Sequence, residues 1–130
     1  MNRGRRMLLC VLLFFPIVWA GRAEAQTEQG RVARIAEIEI DSDQIEPYKA
    51  ALREEIADAI RLEPGVLTLY AVSIKDHPEQ VRIFEVYASQ ATYQTHLQSP
   101  QFKKYKAATQ GMVRSLKLFE ASPILLGAKK

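Results

Sequence analysis

The sequence predicts one α+β domain, on three observations. Apolar residues alternate with polar ones through residues 32–40. They then recur at helical spacing from Ile45 to Ile60. Two further apolar runs, 66–75 and 81–88, flank a short turn and read as a hairpin.

In the first run (VARIAEIEI), Val32, Ala36, Ile38 and Ile40 share one side, while Ile35 lies with Glu37 and Glu39 on the other. Asp41, Ser42 and Asp43 follow as a turn whose side-chain oxygens are suited to capping a helix. Ile45, Tyr48, Leu52, Ile56, Ala59 and Ile60 then form an apolar stripe, with Lys49, Arg53, Glu54, Asp58 and Arg61 between them. Pro47 falls in the first turn, where its missing N–H costs little. Glu63-Pro64-Gly65 stops the helix.

The second run sets Val66, Tyr70, Val72 and Ile74 against Leu67, Leu69 and Ala71, so both of its faces are apolar. Asp76-His77-Pro78-Glu79 is the expected turn to the third strand. Apolar residues on both faces predict a sheet covered twice, by helices on one face and by a second copy of the chain on the other. Ser89 is placed to cap a short helix running to about Gln98. Ser99-Pro100 restarts a helix carrying Phe102, Tyr105, Ala108 and Met112, which ends near residues 111–114. Residues 116–121 form the fourth strand and 123–126 (PILL) an apolar tail. The order β-α-β-β-α(α)-β is that of a ferredoxin-like split β-α-β fold with an antiparallel sheet.

The N-terminus predicts export. Arg3, Arg5 and Arg6 precede an almost wholly apolar run over residues 7–20, and Ala23-Glu24-Ala25 supplies a small-x-small cleavage site after Ala25. The apolar run is shorter than the roughly 20 residues a spanning helix needs, so no stable membrane anchor is expected after cleavage. The chain divides into a signal peptide (1–25), a polar lead-in (26–30) and one domain (31–130), and a periplasmic or secreted location follows. The leader carries four arginines and one glutamate, which leaves 14 basic (18 less 4) and 14 acidic (15 less 1) side chains in the mature part. The positive balance therefore belongs to targeting, and nucleic acid is not an expected partner. The one cysteine, Cys10, also leaves with the leader, excluding disulfides and thiol chemistry.

No Gly-rich phosphate loop, G-x-S-x-G motif or His pair at metal spacing occurs, and His77 and His96 are the two histidines. Cofactor and metal ligands are accordingly not expected. What the chain does carry is an ordered set of short motifs. Glu63-Pro64-Gly65 leads to Tyr70, and Phe84-Glu85-Val86-Tyr87-Ala88 is followed by Ala91, Tyr93, His96, Ser99 and Phe102-Lys103. This set resembles the antibiotic biosynthesis monooxygenase family, and it spans most of residues 31–125. The resemblance implies a dimer of ferredoxin-like subunits forming a dimeric α/β barrel. It also implies cofactor-independent monooxygenation of quinols or related aromatic polyphenols with O2. Heme-degrading relatives place a histidine four residues after the phenylalanine, where this chain has Lys106. Tyr87 stands where the family often has Trp, and His77 where it often has Asn.

Against that background His96 is the candidate base. It lies three residues after Tyr93 and beside Leu97, on the inward stripe of its helix, and an imidazole suits proton transfer from a phenol. Glu85, in an apolar strand, needs a partner when buried. It is placed either to orient His96 or to accept a substrate hydroxyl, or else to pair with Arg34, Arg82 or Arg114. Tyr70, Tyr87, Tyr93, Tyr105 and Phe102 are the expected substrate-binding aromatics, with core packing as the alternative for each. His77 reads as a turn residue. The leading reading is an exported quinol monooxygenase. The alternatives are a noncatalytic dimeric module that binds a small aromatic or a quinone, and a protein that uses its sheet only to dimerise.

Overall fold

The computed structural model describes residues 30–129, so the expected signal peptide and cleavage site lie outside the described residues. The elements are β1 (Val32–Ile40), α1 (Ile45–Leu62), β2 (Val66–Ile74), β3 (His77–Tyr87), α2 (Gln90–Gln98), α3 (Pro100–Thr109) and β4 (Val113–Ala121). The strands pair antiparallel in the order β2-β3-β1-β4. Strands β1 and β2 therefore run parallel with β3 between them, which makes this the ferredoxin-like arrangement that the element order predicts. Within one chain the sheet is open, with β2 and β4 as its edges.

Register sorts the side chains into two faces. Ala71, Ile83, Ala36 and Leu118 are cross-strand neighbours on the inner face. There Ile38, Ile40, Val81 and Ile83 pack against Tyr48 and Leu52 of α1. A second cluster joins Ala59 of α1 to Val66, Leu69, Tyr87 and Tyr93. Each large aliphatic side chain so buried contributes about 1.5–3 kcal/mol. On the outer face Tyr70, Phe84, Ile35 and Phe119 form one row across all four strands.

Several local expectations are modified. Asp41, Ser42 and Asp43 do not cap α1: its N-cap is Gln44, with no side-chain hydrogen bond. Asp41 pairs with Arg114 instead, and its carbonyl accepts from the Gln44 N–H. Ser89 does cap α2, in a reciprocal box with Thr92, and Ser99 caps α3 by accepting from the Phe102 N–H at 3.2 Å. Ile74 pairs with His77, so His77 and Pro78 belong to β3 and not to the turn. Pro78 is tolerated because β1 pairs with β3 only from Gln80 onward, leaving the strand's start with one neighbour. Strand β4 begins at Val113, three residues before the expected start. A register shift between Val66 and Thr68 breaks the alternation of β2. Val66 and Leu69 therefore both enter the core, and Tyr70 points to the outer face.

Candidate functional site

A cavity of about 520 Å³ lies between the helices and the inner sheet face. Its walls come from β1 (Ala36, Ile38), β3 (Ile83, Glu85, Tyr87), α1 (Leu52, Glu55), α2 (Tyr93, His96) and α3 (Phe102, Tyr105). It reaches β4, where Leu116 and Leu118 line it while remaining 45% and 47% exposed. The mouth is therefore at the edge strand.

His96 is the centre of the polar part. Helical spacing from Tyr93 turns it inward, where it is 3% exposed and packed between the rings of Tyr87 (5.3 Å between centroids) and Phe102 (4.9 Å). Its Nδ1 lies 3.1 Å from Oε2 of Glu63, the residue that ends α1. Gln101 donates to the same oxygen at 2.8 Å, fixing the carboxylate. The other ring nitrogen, Nε2, faces Oε1 of Glu55 at 3.6 Å. A carboxylate thus stands at each end of the imidazole.

Glu55 is 6% exposed, and burial pushes its carboxyl up to about 7, helped by repulsion from Glu63, Glu85 and Asp58. Burial also raises the Glu85 carboxyl, opposed by the Tyr87 hydroxyl that donates to its Oε2 at 3.0 Å and by the charges of His96 and Arg34. Arg34 faces Glu85 across the strands, but no ion pair joins them, and its guanidinium instead lies 4.4 Å from the centroid of the Tyr93 ring. At Tyr105 the hydroxyl shares a 2.7 Å hydrogen bond with that of Tyr48. Burial raises the phenols of Tyr48, Tyr87 and Tyr105 above their usual range, so they stay protonated donors.

Of the residues singled out from the sequence, His96, Glu85, Tyr87, Tyr93, Tyr105 and Phe102 meet at this one cavity. Tyr70 does not join them: it is 66% exposed on the opposite sheet face. Glu55, Glu63 and Tyr48 were not anticipated as site residues. Glu55 had a visible signal, because it interrupts the buried stripe Tyr48, Leu52, Ala59 of α1 with a carboxylate. Among the described residues no group of three or more His, Cys, Asp or Glu side chains is arranged to hold a metal ion. Glu55 and Glu63 sit at opposite nitrogens of His96 and so do not converge on one point. The arrangement is suited to taking a proton from a weakly acidic hydroxyl in an apolar enclosure.

The model of the antibiotic biosynthesis monooxygenase family matches residues 31–108. A solved structure named for that family, from Bacteriodes thetaiotaomicron, is 46% identical, covers 79% of this chain and 98% of its own, and has a TM-score of 0.76. A structure named as a monooxygenase, from Lactobacillus acidophilus, is 28% identical over 68% of this chain and 42% of its own, with a TM-score of 0.67. One from Caulobacter crescentus shares the fold at 18% identity, covering 74% of this chain and 92% of its own, with a TM-score of 0.69. No curated protein matches the chain.

Proposed function

The chain belongs to the antibiotic biosynthesis monooxygenase family, and from that premise we propose that it is an exported, cofactor-independent monooxygenase of quinols or related aromatic polyphenols. The observation that carries this reading is the meeting of His96, Glu55, Glu85 and three tyrosines at one apolar cavity of about 520 Å³, with Glu63 holding His96 from behind. That volume is in the range of small-molecule sites.

In this reading Glu63 accepts the Nδ1–H of His96 and leaves Nε2 to take the proton of a quinol hydroxyl. The phenolate passes one electron to O2, and the resulting radicals join through a new C–O bond. Cleavage of the O–O bond then releases water. For hydroquinone the balance is one quinol and one O2 to one hydroxyquinone and one water. The chain supplies a base, hydroxyl donors and a dry wall, and electrons come from the substrate. Such chemistry needs no reduced cofactor, which suits a protein read as periplasmic or secreted.

We further read the active form as a homodimer. The outer row Tyr70, Phe84, Ile35 and Phe119 is the apolar face a second copy would cover.

Oxygen consumption by the purified exported protein, with hydroquinones and catechols and a chelator present, tests the proposal. Uptake above autoxidation that is lost in His96→Ala is the expected result. Absence of uptake, with quinones still binding, replaces this reading by a binding module. Mass spectrometry of the exported chain should give an N-terminus at Gln26.

A further inference from the structure

Glu55 is an anomaly as a structural residue. It occupies a buried position on α1 between Leu52 and Ala59, where an apolar side chain would pack without cost. Among the described residues no lysine or arginine pairs with it. Lys104 of α3 is taken by Glu54, and Arg61 by Asp58. The groups that act on it include Asp58 on α1, Glu63 after it, and Glu85 on β3. The Tyr48, Tyr87 and Tyr105 hydroxyls also feel its charge, and His96 of α2 faces it. Its Oε1, fully buried, has no hydrogen-bond partner. Yet the Glu55 side chain lines the cavity, and this oxygen lies 3.6 Å from His96 Nε2.

That distance is too long for a direct hydrogen bond and short enough to be bridged. An oxygen placed about 2.8 Å from each atom closes a triangle with an angle of roughly 80° at that oxygen. From this geometry we infer that Glu55, in its acid form, is a substrate-contacting residue that donates a hydrogen bond to the phenolic oxygen whose proton passes to Nε2 of His96. The inference rests on the cavity being a phenol site and adds how the phenolate is held there. In the step, the O–H bond of the phenol breaks and an N–H bond forms on the imidazole. Glu55 keeps its own proton and shares it with the new phenolate. A neutral carboxyl in an apolar site is an effective donor to such an oxyanion, and an ionised one repels it. The ligand class is a phenol with at least one unhindered hydroxyl. Because burial holds the Glu55 carboxyl near 7, the acid form persists close to neutrality and is lost above it.

The test uses 4-fluorophenol, which binds without being a quinol, followed by fluorine NMR on the purified protein. Wild-type affinity should fall about tenfold or more between about pH 6 and about pH 8.5, as the donor is lost. In Glu55→Gln the amide still donates, so affinity should stay within about threefold of the wild-type value at about pH 6 and be flat over the same range. Glu55→Leu, which has no donor, should bind about tenfold more weakly at about pH 6. Equal affinity and an equal pH profile in all three proteins overturn the inference, as does failure of the wild type to bind. So does a Glu55→Gln variant no tighter than Glu55→Leu. If the leucine variant does not fold, comparing the wild-type and Gln pH profiles decides alone. Oxygen uptake that fails while this binding pattern holds removes the oxygenase reading and leaves the role of Glu55 standing.

Discussion

Glu63 reaches across 33 positions of sequence to hold Nδ1 of His96 at 3.1 Å. The contact makes the end of α1 a part of the site, and it decides which nitrogen of the ring is free for chemistry. Replacing Glu63 by Gln keeps the size of the side chain and weakens the hold on the Nδ1 proton. Oxygen uptake with hydroquinone should fall by tenfold or more through kcat, with KM little changed, because orientation of a base acts on the proton-transfer step. The same substitution should leave far-ultraviolet circular dichroism intact. A kcat equal to wild type would remove Glu63 from the mechanism.

Stability should depend on pH through Glu55. Its carboxyl is held near 7 in the folded chain against 4.5 for an ordinary glutamate, so the folded state binds the proton more tightly. Stability from this group is therefore fully present below about pH 4.5 and is lost as pH rises through about 7, on the order of 3 kcal/mol in all. Burial of Glu85 works in the same direction. Urea unfolding of wild type should give a lower midpoint at about pH 8 than at about pH 5.5. Glu55→Gln, which has no proton to lose, should flatten that difference. An unchanged slope in the variant would assign the effect elsewhere.

How far the sequence led depends on the kind of pattern. Residues 32–40 and the stripe from Tyr48 to Ala59 announce their elements because one period holds across each. Spacing from Tyr93 likewise turned His96 inward. Strict alternation puts Tyr70 on the same face as Val66, but the bulge between Val66 and Thr68 inverts the pattern and turns Tyr70 outward. Glu63 read as a helix stop, since its contact with His96 is made only when α2 folds back over the end of α1. Glu55 is masked in the sequence by the neighbouring charges Arg53, Glu54 and Asp58. It is three residues after Leu52 and four before Ala59, a spacing that marks it as buried once the helix face is drawn.

Gly65 joins α1 to β2 with no room for a side chain. A Cβ there would lie 2.4 Å from Cγ2 and 2.6 Å from Cβ of Thr92, and Thr92 is held in the capping box of α2. Gly65→Ala should cost about 1–3 kcal/mol by overpacking. That corresponds to about 4–8 °C in melting temperature for each kcal/mol in a domain of this size. Gly111 has nothing near its Cβ position, so Gly111→Ala serves as the control with a shift below about 2 °C. Equal melting temperatures for the two variants would show that Thr92 moves aside freely.

Phe119 is 47% exposed beside Ile35, and the row continues through Phe84 to Tyr70. Four large apolar side chains aligned across a sheet form a surface that water solvates poorly and a matching face covers well. In a twofold pair the same row is used by both copies, so one substitution places two charges in the interface. Phe119→Glu should therefore convert a dimer to a monomer in analytical ultracentrifugation at micromolar concentration. The inner core does not use Phe119, so the monomer should retain its secondary structure. The cavity mouth at Leu116 and Leu118 lies on the same strand, and oxygen uptake should fall in the variant where the partner closes that mouth. A wild type that sediments as a monomer would refute the dimer outright, and full activity in a monomeric variant would separate the mouth from the interface.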